Sequence, residues 1–252
     1  MDNPDVEPIT PAQTTFLKLL DAYLQTRKRV PDSASYAFLG TAFRDLLLYC
    51  QASLRVSISA TVESGRSIIP PGESKQDAVP VTDARLPKAC EALVLVCQCL
   101  VVLLLGEHET RLLVAPMKTL LLEASEYPTL ELQIDVMRLL DAFLPRISLH
   151  AAPGTDLSGF AYVKRDLVRV LGTLAHEDRV VQDRTRACGG VEVVLNLCVE
   201  DARNPYLREH AIFALRNLMT GNAENQKILD ELKLMGIEDS EGILRDVRRG
   251  RA

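Results

Sequence analysis

Leu171-Gly172-Thr173-Leu174 and Leu215-Arg216-Asn217-Leu218 each close an amphipathic run, and eight residues past the second Leu of each stands a Gln, at 182 and 226. Both pairs are offset by 44 residues. One kind of helical solenoid repeats every ~40–47 residues, and its units must stack because each has an apolar face that only a neighbouring unit can bury. Between the two motifs lie a short helix from Arg179 to Ala187, the turn Cys188-Gly189-Gly190, a helix from Val191 to Val199 and another from Pro205 to Met219. Val163, Leu167, Val170, Leu171 and Leu174 mark the helix leading into the first motif. Beyond the second motif, helices are expected from Glu224 to Met235 and from Glu241 to Arg249.

The N-terminal half is helical but less regular. Thr10-Pro11 has the form of an N-cap followed by Pro at the first helical position. Phe16, Leu19, Leu20, Tyr23 and Leu24 then fall on one face, and Pro31 ends the unit. A helix from Ala34 to Val62 presents Phe38, Phe43, Leu46, Leu47, Cys50 and Leu54. The run from Pro87 to Leu105 is apolar nearly all round, which places it in the middle of a helical stack. Helix is expected from Glu107 to Ala124 with a break at Pro116, and again from Pro128 to Ile147. Residues 151–158 read as a linker around Pro153-Gly154. The chain divides into an N-terminal helical hairpin (1–62), a flexible linker or disordered loop (63–85), irregular helical repeats (86–150) and a repeat domain (159–250).

Composition agrees with helices. Of 252 residues 40 are Leu, 5% are aromatic and none is Trp, and Leu suits helices where aromatic and β-branched residues suit strands. Split at 84 and 150, the three parts hold 8, 6 and 15 basic residues against 10, 8 and 16 acidic ones. No part is basic, so nothing in bulk charge favours nucleic acid. The cluster Arg248-Arg249-Gly250-Arg251 is offset by Glu238, Asp239, Glu241 and Asp246. The longest apolar run, Ala92 to Leu105, has 14 residues, short of the ~20 of a membrane span. Met1 to Pro11 holds three acids and three prolines and does not read as a signal peptide, so a reducing intracellular compartment is expected.

Gln182-Asp183, Gly189-Gly190-Val191, Asn204-Pro205-Tyr206-Leu207-Arg208-Glu209, Ala211-Ile212, Ala214-Leu215-Arg216-Asn217-Leu218, Asn222 and Glu224-Asn225-Gln226 together resemble the C-terminal domain of the ataxin-10 family. The resemblance covers roughly residues 160 to 235. His210 stands where that family usually has Trp, and Thr173 where it usually has Asn. The resemblance implies an all-α, armadillo-like right-handed helical solenoid in a cytoplasmic protein-interaction scaffold that regulates cytokinesis.

The candidate partner-binding residues are Arg208, Glu209, Arg216 and Asn217. Asn217 carries both a donor and an acceptor. It can hold an extended peptide backbone, or bond a loop carbonyl at its own helix end. Arg208 and Arg216, eight residues apart, are placed to share a face, either for a partner or for solvent. His210 reads as a ligand or base, or as a half-buried imidazole with one hydrogen bond. Cys90 and Cys97 share a helix face, but Cys99 lies about 200° from Cys97, so three thiolates do not converge. All six cysteines read as small core hydrophobes. His108-Glu109 and His176-Glu177 open like H-E-x-x-H, but Leu112 and Val180 take the second His position. No G-x-S-x-G, G-x-G-x-x-G or Walker loop occurs. No cofactor, metal or catalytic residue is therefore assigned. The expected function is non-enzymatic binding of other proteins through a curved helical face. The alternative is a structural subunit docking through Pro87 to Leu105.

Overall fold

A computed structural model describes residues 7–26, 32–63, 83–110, 115–123, 128–144, 158–201 and 204–234. Most of the expected linkers 63–85 and 151–158, and the helix expected from Glu241 to Arg249, lie outside them. The described residues form helices and turns, with no strand among them.

Helix α1 (Pro11–Gln25) begins where Thr10 and Gln13 close a capping box, the Gln13 N–H donating to Thr10 Oγ1 (3.3 Å) and the Thr10 N–H to Gln13 Oε1 (2.8 Å). It buries Leu17, Leu20 and Leu24 against α3 (Leu86–Thr110). Phe16, Leu19 and Tyr23 are exposed, so the buried stripe is rotated from the expected one. A 3-10 turn, Ser33–Tyr36, leads into α2 (Ala37–Glu63), whose Phe43, Leu46, Leu47, Cys50 and Leu54 are buried while Phe38 stays exposed.

Helix α3 is the axis of the molecule. It packs against α1, α2 and α6 (Val163–Leu174). It is long and apolar enough to cross a membrane, with a mean hydropathy of 2.4, but 72% of that window is buried inside the chain. Packing between neighbouring helices thus accounts for its composition. Pro116 opens the short α4 (Pro116–Leu122) at its first turn, where a missing N–H costs nothing. Glu107, at the end of α3, accepts from the N–H groups of Met117 (2.7 Å) and Lys118 (3.2 Å) and from the Ser33 hydroxyl. It supplies the cap that Ala115 lacks. Helix α5 (Thr129–Phe143) lies between α2 and α6.

The C-terminal part holds α6, α7 (Arg179–Ala187), α8 (Gly190–Asn196), α9 (Leu207–Met219) and α10 (Ala223–Leu234). The offset of 44 recurs in atomic detail. Tyr162 and Tyr206 precede α6 and α9 with left-handed φ of 67° and 64°. Glu177 and Gly221 both have positive φ, 52° and 68°. Asp178 and Asn222 accept from the N–H three residues on, at 3.0 and 3.1 Å. Gln182 Nε2 donates to the Ala175 carbonyl (3.3 Å), as Gln226 Nε2 does to that of Met219 (2.7 Å). Helices α6 and α9 cross closely: a Cβ added to Gly172 would lie 2.9 Å from Ala214 Cα and 3.1 Å from the Phe213 ring. Buried residues from Ile9 to Leu229 form one cluster to which every helical stretch contributes.

Candidate functional site

Two surfaces carry chemistry: the outer stripe of α6 and α9, and a cleft where α3, α4 and the turn after α6 meet.

The stripe follows the repeat. On α6 it runs through Tyr162, Arg165 and Arg169, and on α9 through Tyr206, Glu209, Phe213 and Arg216, at spacings of three or four residues. Tyr162, Tyr206, Glu209, Phe213 and Arg216 are exposed. The Arg165 guanidinium lies 4.3 Å from the Tyr162 ring centre and pairs with Asp166 at 2.7 Å. Of the candidates, Glu209 and Arg216 lie on this stripe. Arg208 is half-buried, 3.9 Å from Glu200, and corresponds at the offset of 44 to the buried Lys164. Asn217 is 8% exposed, and its Nδ2 donates to the Gly172 carbonyl at 2.8 Å. That bond reaches the preceding copy, 45 residues away, rather than a loop carbonyl at its own helix end. Tyr162, Tyr206 and Phe213 were not among the candidates. The two tyrosines share the offset of 44, which is a signal visible in the sequence.

His210 is half-buried. Burial, then Arg169 and Arg165, holds its imidazole below the ordinary 6.5, so it stays neutral at pH 7. Five cysteines are buried and Cys188 is half-buried. Burial pushes the Cys99 and Cys198 thiols to about 12, and a hydrogen bond with Cys50 together with burial also raises the Cys90 thiol. Such thiols are poor nucleophiles and poor metal ligands. Among the described residues no three His, Cys, Asp or Glu side chains are arranged to hold a metal ion.

A polar joint locks the two copies. Gln182 Nε2 donates to the carbonyls of Asn217 (2.9 Å) and Thr220 (3.2 Å), while its Oε1 accepts from Asn222 (3.1 Å). Asn225 Nδ2 donates to the Leu218 carbonyl (2.8 Å), and Arg186 donates to Asn225 Oδ1 (2.7 Å). Asp183 accepts from Arg179 and from Arg186, and those bonds hold its carboxyl down from the ordinary 3.8 to about 2. A depressed carboxyl stabilises the fold above its unfolded value, and that contribution is lost as pH falls from about 4 to 2. An NMR titration of the Asp183 side-chain carbon is expected to give a midpoint near 2, moving toward the ordinary value in Arg179→Gln. A midpoint of 3.8 in the parent chain would remove this role for the arginines.

The cleft, about 670 Å³, is lined by Leu104, Glu107, His108, Ala115, Lys118, His176 and Glu177. The His108 and His176 rings meet edge to face with centres 5.3 Å apart. The histidines of the two incomplete H-E-x-x-H runs are thus brought together by the fold, with Glu177 beside them in the lining.

These features define a class: an all-helical protein with a 44-residue repeat in its C-terminal part. Residues 163–248 match the family model described as the spinocerebellar ataxia type 10 protein domain, so this region of the chain is similar to the ataxin-10 family. It is 42% identical over 78 residues to an ataxin-10 homolog of Dictyostelium discoideum, covering 31% of this chain and 13% of that protein. It is 33% identical over 88 residues to ataxin-10 of Xenopus tropicalis, covering 34% of this chain and 18% of that one. Against human ataxin-10 the figures are 30% over 86 residues, 34% and 18%. The matches thus span less than a fifth of these relatives' length. No solved structure matches the chain.

Proposed function

We propose that this chain is a non-enzymatic, cytoplasmic protein-interaction scaffold built as an armadillo-like right-handed solenoid, acting in cytokinesis as part of an ataxin-10-like system. The observation that carries the reading is the stripe on α6 and α9. It combines exposed Tyr162, Tyr206 and Phe213 with Arg169 and Arg216, and aromatic and Arg side chains dominate binding energy at protein interfaces. Partners contact Glu209, Arg216 and the aromatic side chains, with Arg208 at the edge. Asn217 serves indirectly, by fixing α9 against α6.

Reversing Arg208 and Arg216 to Glu is expected to abolish capture of the partners recovered with the parent chain; the exposed Arg216→Glu changes stability by no more than about 0.5 kcal/mol, whereas Arg208→Glu, half-buried beside Glu200, lowers it. Affinity purification beside thermal denaturation tests both. Unchanged partner recovery at unchanged stability would sink the stripe. Cells lacking the protein that divide with normal septa would sink the cytokinesis role.

A structural-subunit reading is favoured by one observation, though not through the apolar helix α3, which its own neighbours cover. Phe16, Leu19, Tyr23 and Phe38 form an exposed apolar patch where α1 meets the start of α2, with the two Phe rings 6.0 Å apart. If Leu19→Lys removed all partners and the arginine reversals removed none, this second reading would replace the first.

A further inference from the structure

We propose that the stripe on α6 and α9 receives an extended acidic-apolar peptide segment. An acidic side chain of the segment seats between Arg169 and His210, and apolar side chains three residues to either side seat on Leu105 of α3 and Phe213 of α9. This rests on the reading of the stripe as a partner-binding face, and it names the chemistry of what binds there.

Three helices lie side by side in one direction. Helix α3 meets α6 at Gln98, whose Nε2 is 3.5 Å from Asp166 Oδ2, and again at His108, whose Nε2 is 3.2 Å from the Thr173 carbonyl oxygen. Helix α6 meets α9 at Gly172, which faces Ala214 and accepts from Asn217. Residue numbers therefore rise together along all three. Val102 and Leu105 are level with Arg169, and Arg169 is level with His210 and Phe213. Read across the helices, this row is apolar, then basic, then aromatic. Leu105 and Phe213 are 43% and 40% exposed, and Arg169 and His210 are half-buried. Neighbouring helices pack about 8–10 Å apart. A polyproline II segment rises ~3.1 Å per residue with three residues per turn. One step from helix to helix thus takes about three residues and returns the side chain to the same side of the segment.

Charge selects the middle residue. Arg165 and Asp166 cancel at 2.7 Å, and the Arg165 guanidinium is stacked 4.3 Å from the Tyr162 ring centre. Arg169 has no carboxylate partner among the described residues. Burial, with the fields of Arg169 and Arg165, keeps His210 neutral, so its ring carries an N–H to donate beside the guanidinium. Glu209, next to His210 in sequence, is turned about 100° from it around α9. One unpaired cation beside one neutral donor matches a singly charged carboxylate. A phosphate brings nearly two charges and three acceptor oxygens, and suits a cluster of arginines. Here Asp166 already cancels the second arginine.

The probes are fluorescein-labelled peptides with the core Leu-Pro-Pro-Glu-Pro-Pro-Leu, and versions with Gln, Lys or phosphoserine in place of Glu. Each is titrated into the intact chain by fluorescence anisotropy and by NMR of the histidine rings, of which the chain has four. The Glu peptide is expected to bind, more weakly as salt rises, and to shift the His210 signals. The Gln version binds at least about tenfold more weakly, and the Lys version does not bind. Arg169→Gln lowers binding of the Glu peptide to the level of the Gln version. Arg169→Lys keeps the charge and retains part of the binding, and Leu105→Ser, at an exposed position, weakens it several-fold. The proposal is overturned if the Glu peptide does not bind at millimolar concentration, or if the Gln, Lys or phosphoserine version binds as tightly. It is also overturned if His210 is unmoved, or if Arg169→Gln binds the Glu peptide as the parent does. Affinity purification separates this from the reading on which it rests. If Arg216→Glu loses the partners and Arg169→Gln keeps them, the stripe stands and the acidic segment falls; if both variants keep them, both fall.

Discussion

Lys164→Met is expected to lower stability by about 3–5 kcal/mol, which for a chain of this size is a fall in melting temperature of roughly 10 °C. Lys164 is fully buried on α6. Its Nζ donates to Asp141 Oδ1 (3.1 Å) and to the Leu144 carbonyl at the end of α5 (3.0 Å), and stands 3.7 Å from Asp201 Oδ2. The Asp201 side chain has no exposure at all. A Met of similar length fills the space but leaves that carboxylate buried without its cation, and the uncompensated charge is the larger cost. Lys164→Met with Asp141→Asn and Asp201→Asn is expected to recover most of the loss, because the charges are then removed together. Urea and thermal denaturation measure both. A loss under about 1 kcal/mol in the single variant would show that water reaches the site.

Gly172→Val carries the second large effect, about 3 kcal/mol. The Cβ at this position would meet the Ala214 backbone at 2.9 Å, so α6 and α9 must separate where their contact is closest. The Phe213 ring, 3.1 Å from the same point, would shift with α9 and disturb the stripe proposed to bind partners. Gly221→Ala is the control. It has a φ of +68° and open space around its Cβ, so it costs only about 1 kcal/mol, from backbone strain. If the two variants were equally stable, close packing at Gly172 would not be what joins the copies.

Much of the fold is legible in sequence. The described helices of the C-terminal part, α6 to α10, fall within a few residues of their expected positions, because apolar periodicity, Gly189-Gly190 and the prolines mark their ends. The 44-residue offset is legible because the same turn chemistry is needed twice, as Gln182 and Gln226 demonstrate. Helix α1 marks one limit. Apolar residues occupy two adjoining stripes, and periodicity alone does not say that Leu17, Leu20 and Leu24 face α3 while Phe16, Leu19 and Tyr23 face out. Lys164 marks another, since a lysine on an amphipathic run reads as solvent-facing until Asp141 and Asp201 are brought to it from distant segments. The candidate surfaces divide in the same way. Arg216 and Glu209 are legible as exposed helical charges. The meeting of His108 with His176 depends on how α3 and α6 pack, and no local pattern encodes it.

The polar joint around Gln182 also bears on how the repeats come apart. In a chain of weakly coupled units each copy can fray by itself, and hydrogen exchange then reports a graded series of local openings. Here the carbonyls that end α9 are satisfied by a side chain from the preceding copy, and Asn217 answers from the other direction. Neither copy can open without stranding polar groups of the other. The two copies are therefore expected to open as a single foldon, with their slowest-exchanging amides reporting one shared event.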